Sequence, residues 1–255
     1  MNKFLLTTAL ATLATGATAQ SIQFSYADAT FGVSQWDASG GGEATVYGLE
    51  GRVGFDLGRS FGAQLDAGIA KLDLSGPGSA HTTNFGTHAF YKSSTMPVLM
   101  GAYYTHGDVE LGGAGVTSQA YGVEAAYHGE KIGGEIYFGA TRDMTGGMGL
   151  DGLAYGVSGS YSFTPKFTAA VGYNNFDIET VPAFDSLFGS VEYRFDAAGV
   201  NNMAVRFKYE TFDDPGFILG DHDRYTLSLT IPLGGGNGSK SGFTSNRGGI
   251  ANYLH

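Results

Sequence analysis

The chain has no cysteine, which excludes disulfide staples and thiolate metal sites. Proline and tryptophan are sparse, at six and one in 255 residues, and only 15% of residues are charged. Basic residues are the scarcer sign, with 14 Lys and Arg against 24 Asp and Glu. That balance argues against nucleic acid as a partner and mildly favours cations nearby. Beyond residue 13 no apolar run approaches the roughly 20 residues of a membrane-spanning helix.

What the chain has in abundance is glycine, 42 residues, and aromatic rings, with 18 Phe and 15 Tyr. They are arranged with a period of two. From residue 22 to Leu233, stretches of about ten alternating residues are separated by connections that alternate between short and long. One phase is apolar and aromatic; the other carries Gly, Ser, Thr and charge. Tyr47, Leu49, Val53, Phe55 and Leu57 oppose Glu50, Arg52 and Asp56, and Leu153, Tyr155, Val157, Tyr161 and Phe163 oppose Ser158, Ser160 and Ser162. Mean hydropathy is close to zero because the two phases cancel.

Twelve strands are predicted, with cores at 22–35, 44–57, 61–73, 83–92, 98–107, 119–128, 132–140, 153–163, 167–176, 185–195, 203–212 and 224–233. In the first, Ile22, Phe24 and Tyr26 share one phase and Phe31 and Val33 the other, which places a bulge near Asp28. The fifth is apolar in both phases over Val98–Tyr104. Short connections are expected at Gly58–Ser60, Ser93–Pro97, Gly129–Lys131 and Thr164–Lys166, with Asp196–Asn202 slightly longer. Long ones are expected at Asp37–Glu43, Leu74–Thr82, Asp108–Ser118, Thr141–Gly152, Asp177–Phe184 and Asp213–Asp223. The fold class is therefore all-β: a transmembrane antiparallel up-and-down β-barrel of about 12 strands, with short turns on the periplasmic side. Phe55, Phe61, Tyr91, Tyr127, Phe163, Phe167 and Phe195 adjoin the short turns and would form a periplasmic aromatic girdle.

Three regions follow. Residues 1–19 read as a secretory signal peptide: Lys3, an apolar run from Phe4 to Leu13, then Ala17-Thr18-Ala19 before a cleavage point. Its removal takes away Lys3 and no other charge, moving the formal charge from −10 to −11. Residues 20–233 form the barrel. Residues 234–255 read as a flexible, periplasmic, Gly/Ser/Asn-rich tail.

Phrases such as Ala120-Tyr121-Gly122-Val123-Glu124-Ala125-Ala126-Tyr127 and Tyr155-Gly156-Val157-Ser158-Gly159-Ser160-Tyr161-Ser162-Phe163 carry a resemblance to Gram-negative porins, particularly the alphaproteobacterial type. So does Phe167-Thr168-Ala169-Ala170-Val171-Gly172-Tyr173. The resemblance implies an outer-membrane channel for passive diffusion of small hydrophilic solutes or ions, set in outer-membrane lipid and lipopolysaccharide, without a cofactor, and it allows a homo-oligomer. The chain departs from general porins of this type in three ways. It is too short for about sixteen strands, it has no long third loop to constrict the lumen, and it ends Tyr253-Leu254-His255, so a strand signal for assembly would lie at Tyr225–Leu233.

The polar phase supplies the candidate pore lining. Basic candidates are Arg52, Arg194, Arg206, Lys208 and Arg224; acidic ones are Glu50, Asp66, Glu124, Glu135, Glu192 and Glu210. The cations concentrate on strands ten to twelve. Facing isolated acids on strands two, three, six and seven, they would set a transverse field across the lumen. The alternative is a lumen whose charges pair and fill it, in a non-conducting anchor or adhesin-like surface protein. A lipid-modifying hydrolase would need a Ser and a His on one face, and no spacing links such a pair. Asp213, Asp214, Asp221 and Asp223 crowd one loop and are the single weak candidate for a divalent cation, read foremost as solvated.

Overall fold

The computed structural model describes residues 22–38, 42–75, 78–111, 114–145, 151–178, 183–197, 199–213, 221–235 and 242–244. It contains twelve strands: β1 (Ile22–Ala38), β2 (Glu43–Leu57), β3 (Phe61–Leu74), β4 (Ser79–Lys92), β5 (Val98–Leu111), β6 (Ala114–His128), β7 (Ile132–Asp143), β8 (Gly152–Thr164), β9 (Phe167–Ile178), β10 (Phe184–Ala197), β11 (Val200–Asp213) and β12 (His222–Gly235). Each pairs antiparallel with its chain neighbours, and β1 pairs with β12 to close the barrel. Closure leaves no strand edge with unpaired backbone groups, the condition for a sheet to cross hydrocarbon. At the closing seam, hydroxyls meet in register: Ser34 with Thr226 at 2.8 Å and Thr30 with Thr230 at 2.9 Å.

The burial pattern is inverted relative to a water-soluble sandwich. On β3, Gln64 and Asp66 are 0% and 1% exposed, whereas Phe61, Leu65 and Ile69 on the other face are 51%, 41% and 55% exposed. The same apolar exterior runs round the wall through Val123, Ile136, Val157, Val171, Leu187, Phe207 and Leu227. A continuous apolar surface of that extent is untenable in water and suits lipid. The polar phase is inside.

All twelve predicted strands are present, and most run further than the alternation indicated. The expected long connection Asp108–Ser118 is mostly ladder, with Asp108 opposite Thr117 and Val109 opposite Val116. Likewise Leu74–Thr82 shrinks to residues 75–78. Side-chain contrast fades once a strand leaves the lipid band, but backbone pairing continues without it. Strands of 12 to 17 residues exceed the roughly 9–11 that cross a bilayer, so several hairpins project beyond it.

The bulge in β1 is also present. Ser25 is skipped in the pairing with β2, and the register against β12 shifts between Ala27 and Asp28. One extra residue swaps the faces. Phe24 therefore points outward while Tyr26 is buried inside, a correction to the shared phase expected for Ile22, Phe24 and Tyr26. In β5 the ambiguity resolves with Leu99 and Tyr103 inside and Met100 outside.

Candidate functional site

The lumen is layered. Towards the long-connection end lies an apolar ring drawn from eleven strands, including Trp36, Val46, Leu72, Tyr103, Tyr137, Phe176, Phe184 and Phe212. Rings stack there face to face: Phe176 with Phe184 at 4.7 Å, and His222 between Trp36 at 5.1 Å and Phe212 at 4.4 Å. Alternation alone did not single out these rings, because they sit in the polar phase near strand ends.

Glycine explains how the narrow interior holds them. A Cβ on Gly139 would overlap Tyr103, one on Gly156 would overlap Tyr137, and one on Gly54 would overlap Tyr26. A lumenal glycine on one strand is thus the slot for a ring from another.

Below this ring lie the charges, in two groups. On β10–β12, Glu192 bridges Arg194 and Arg206: Arg194 Nε donates at 2.9 Å to one carboxylate oxygen, and Arg206 Nη2 at 2.6 Å to the other. Glu210 in turn bridges Lys208, at 2.8 Å, and Arg224. The register accounts for the pairing, since Glu192 lies opposite Arg206 and Glu210 opposite Arg224. The Arg224 guanidinium also lies over Phe212 and Trp36, at 4.9 and 5.5 Å. The expected cations are therefore gathered on one wall, but their first partners are carboxylates of that same wall rather than the acids opposite. Four cations share two carboxylates, and the Arg206 side chain stays 49% exposed.

The second group lies on β1–β7. Asp28 takes both Arg52 Nε, at 2.9 Å, and Nη2, at 2.8 Å, in a forked pair. His88 stands between two carboxylates, Nε2 at 2.7 Å from Asp66 and Nδ1 at 2.6 Å from Glu124, all three buried. With both ring nitrogens engaged by acids, His88 has none left to activate a hydroxyl. Gln64 extends the chain by donating to Asp66 at 2.8 Å and accepting from the Tyr26 hydroxyl. Lys92 pairs with Asp56 nearer the short turns. Glu50 and Glu135 are half-buried on the same side. Sequence reading missed Asp28 and Tyr26 as lumen residues because both depend on the bulge; Gln64 shares the polar phase of Asp66 but carries no charge to flag it.

The ring residues next to the short turns face outward as placed by the alternation. Phe61, Tyr91, Tyr127, Phe163 and Phe167 are exposed, and Phe55 and Phe195 half-exposed. Phe61 meets the edge of Tyr91 at 5.7 Å, and Phe163 lies 5.7 Å from Phe167 across its turn. Of the acidic loop, Asp214 lies outside the described residues. Asp213 and Asp221 are exposed, and Asp223 accepts a hydrogen bond from Tyr209 at 2.9 Å. Among the described residues no group of three or more His, Asp or Glu is placed to hold a metal ion.

The expected tail 234–255 departs from its reading in two places. Gly234 and Gly235 belong to β12, and Gly242-Phe243-Thr244 lie inside the barrel, with Phe243 0% exposed. An aromatic ring within a polar segment finds burial more readily in the lumen than in water. The rest of the tail, like the expected signal peptide 1–19, lies outside the described residues.

No family model and no curated protein matches this sequence. Solved structures do. An outer membrane channel from Pseudomonas putida F1 superposes with a TM-score of 0.55 at 12% identity, over 84% of this chain and 97% of that one. The KdgM porin gives 0.53 at 8% identity, over 80% and 98%. The beta domain of the Bordetella autotransporter BrkA gives 0.52 at 14% identity, over 82% and 99%. Identities this low speak for the architecture alone, and the chain has the closed antiparallel barrel fold shared by Gram-negative outer-membrane channels and autotransporter β-domains.

Proposed function

We propose that this protein is a porin-like channel of the Gram-negative outer membrane, exported through a cleaved signal peptide, that passes small hydrophilic solutes or ions by passive diffusion. The observation that carries the reading is the charged lumen inside an apolar wall: four cations share Glu192 and Glu210, with Arg206 half open to water. Such a wall stabilises a polar solute without any covalent step, and no cofactor is called for. The likeness to the Pseudomonas channel and to the KdgM porin supports it at the level of fold. Outer-membrane lipid and lipopolysaccharide are the surroundings, and a homo-oligomer is compatible with the apolar exterior.

The test is single-channel current from the refolded protein, residues 20–255, in a planar bilayer. Stepwise conductance that scales with salt is expected, and reversing both Arg206→Glu and Lys208→Glu moves the reversal potential toward cation preference. An unchanged reversal potential would remove those two residues from the pore. A second reading, a non-conducting anchor, draws on the apolar ring of the upper lumen and on the likeness to the BrkA beta domain. Folded protein that never conducts would favour it.

A further inference from the structure

We propose that Gly242-Phe243-Thr244 is the channel's own gate, a C-terminal plug held in a peptide-recognition site on the β1–β7 side of the lumen. The inference rests on the channel reading above. Phe243 lies eight residues beyond the end of β12, yet it is among the most deeply buried side chains in the protein. Its ring stacks on His88 at 5.9 Å with the planes 11° apart, and meets Phe90 edge-on at 5.5 Å. Leu99 and Ala126 complete the apolar contact.

The backbone is read as closely as the ring. Gln64 accepts from the Phe243 N–H at 2.9 Å and donates to its carbonyl at 3.0 Å, so one side-chain amide satisfies both groups of one residue as a neighbouring strand would. Arg52 adds a second donor to that carbonyl at 3.3 Å, and Glu135 accepts from the Thr244 N–H at 3.3 Å. The receiving groups are themselves held: Gln64 by Tyr26 and Asp66, Arg52 by Asp28, His88 by Asp66 and Glu124. Gly242 completes the fit, because any Cβ there would overlap the Tyr26 hydroxyl and the Gln64 carbonyl oxygen. Two backbone groups, a ring slot and a glycine-only contact together make a site with sequence preference, which chance collapse of a polar tail would not produce.

The seated segment follows β12 through a run of small and polar residues. Gly236-Asn237-Gly238-Ser239-Lys240-Ser241 joins it to β12 and offers no apolar side chain to compete for burial. When Phe243 leaves, the His88, Gln64 and Arg52 side is uncovered and faces the cations of β10–β12. The two charged walls then border one aqueous path.

The test alters only the tail and leaves every strand intact. In the full 20–255 protein, Gly242→Val and Phe243→Ala are compared with the unmodified chain in bilayers, with heat-modifiable mobility as the check that the barrel has folded. Hydrogen exchange at the Phe243 amide reports seat occupancy without reference to current. Expected are a protected amide and a mostly closed channel in the unmodified protein. Both variants lose the protection and raise open probability by at least about tenfold, the factor of a modest loss in binding. Free exchange at Phe243 in the folded, unmodified protein would overturn the plug. So would a protected amide with equal currents in all three proteins, and in that case the channel reading stands. Released tails with no current in any folded protein would overturn the gate and the channel reading together.

Discussion

The two charged walls of the lumen are made of the same residue types and use them in opposite ways. On β10–β12 each carboxylate serves two cations, and the charge left over faces water at Arg206. On β1–β7 the carboxylates outnumber the bases, and two of them close a dry network around His88, whose ring and both acid partners have no exposed side-chain surface. Charge open to water is screened and adaptable, which suits contact with a passing solute. Charge shut away is fixed in geometry, which suits holding one defined object, here the Phe243 segment. The difference in dehydration is that between Arg206 and the His88 group, since Glu210 and Arg224 are buried too.

That contrast is sharpest in stability. His88→Ala removes the ring that Asp66 and Glu124 share in a buried site, and a loss of about 3–5 kcal/mol is expected. A fall in the urea midpoint of refolding into detergent micelles would show it; an unchanged midpoint would mean water already reaches that wall. Arg224→Lys tests the boundary between the walls. It keeps the charge beside Glu210 but loses the guanidinium's contact with the Trp36 and Phe212 rings, for a cost of about 1–2 kcal/mol by the same assay. Tyr26→Phe deletes the hydroxyl that donates to Gln64 and should cost about 1 kcal/mol, together with faster exchange at the Phe243 amide. Arg206→Ala is expected to cost under about 1 kcal/mol, since its side chain is half exposed, while changing ion selectivity measurably. If Arg206→Ala destabilised as much as His88→Ala, the two walls would be equally dry and the comparison would fail.

Alternation carried the strand number, the outward face and the lumen charges other than Asp28, because a barrel repeats the same two-residue contrast in every strand. It carried a break in β1 as well, placed near Asp28 between Tyr26 and Phe31, whereas the change of face lies at Ser25, between Phe24 and Tyr26. It did not carry strand length beyond the lipid, where Asp108 to Ser118 pairs through backbone groups that every residue possesses. Nor did it separate the lumenal rings such as Trp36 and Phe176 from the polar residues around them.

The closed wall with lipid outside and charge inside follows from local pattern, since period-two patterning acts within each strand and needs no distant partner. Which charges meet, and what lies among them, depends on contacts between residues far apart in the chain. Glu192 finds Arg206 through the register of β10 with β11, and His88 finds Glu124 by reaching across β5. Phe243 finds Gln64 across 179 positions. A Gly/Ser/Asn-rich tail in isolation has every reason to stay in water. Only a closed barrel, with an amide, a guanidinium and two rings already in place, turns one phenylalanine in that tail into a buried residue.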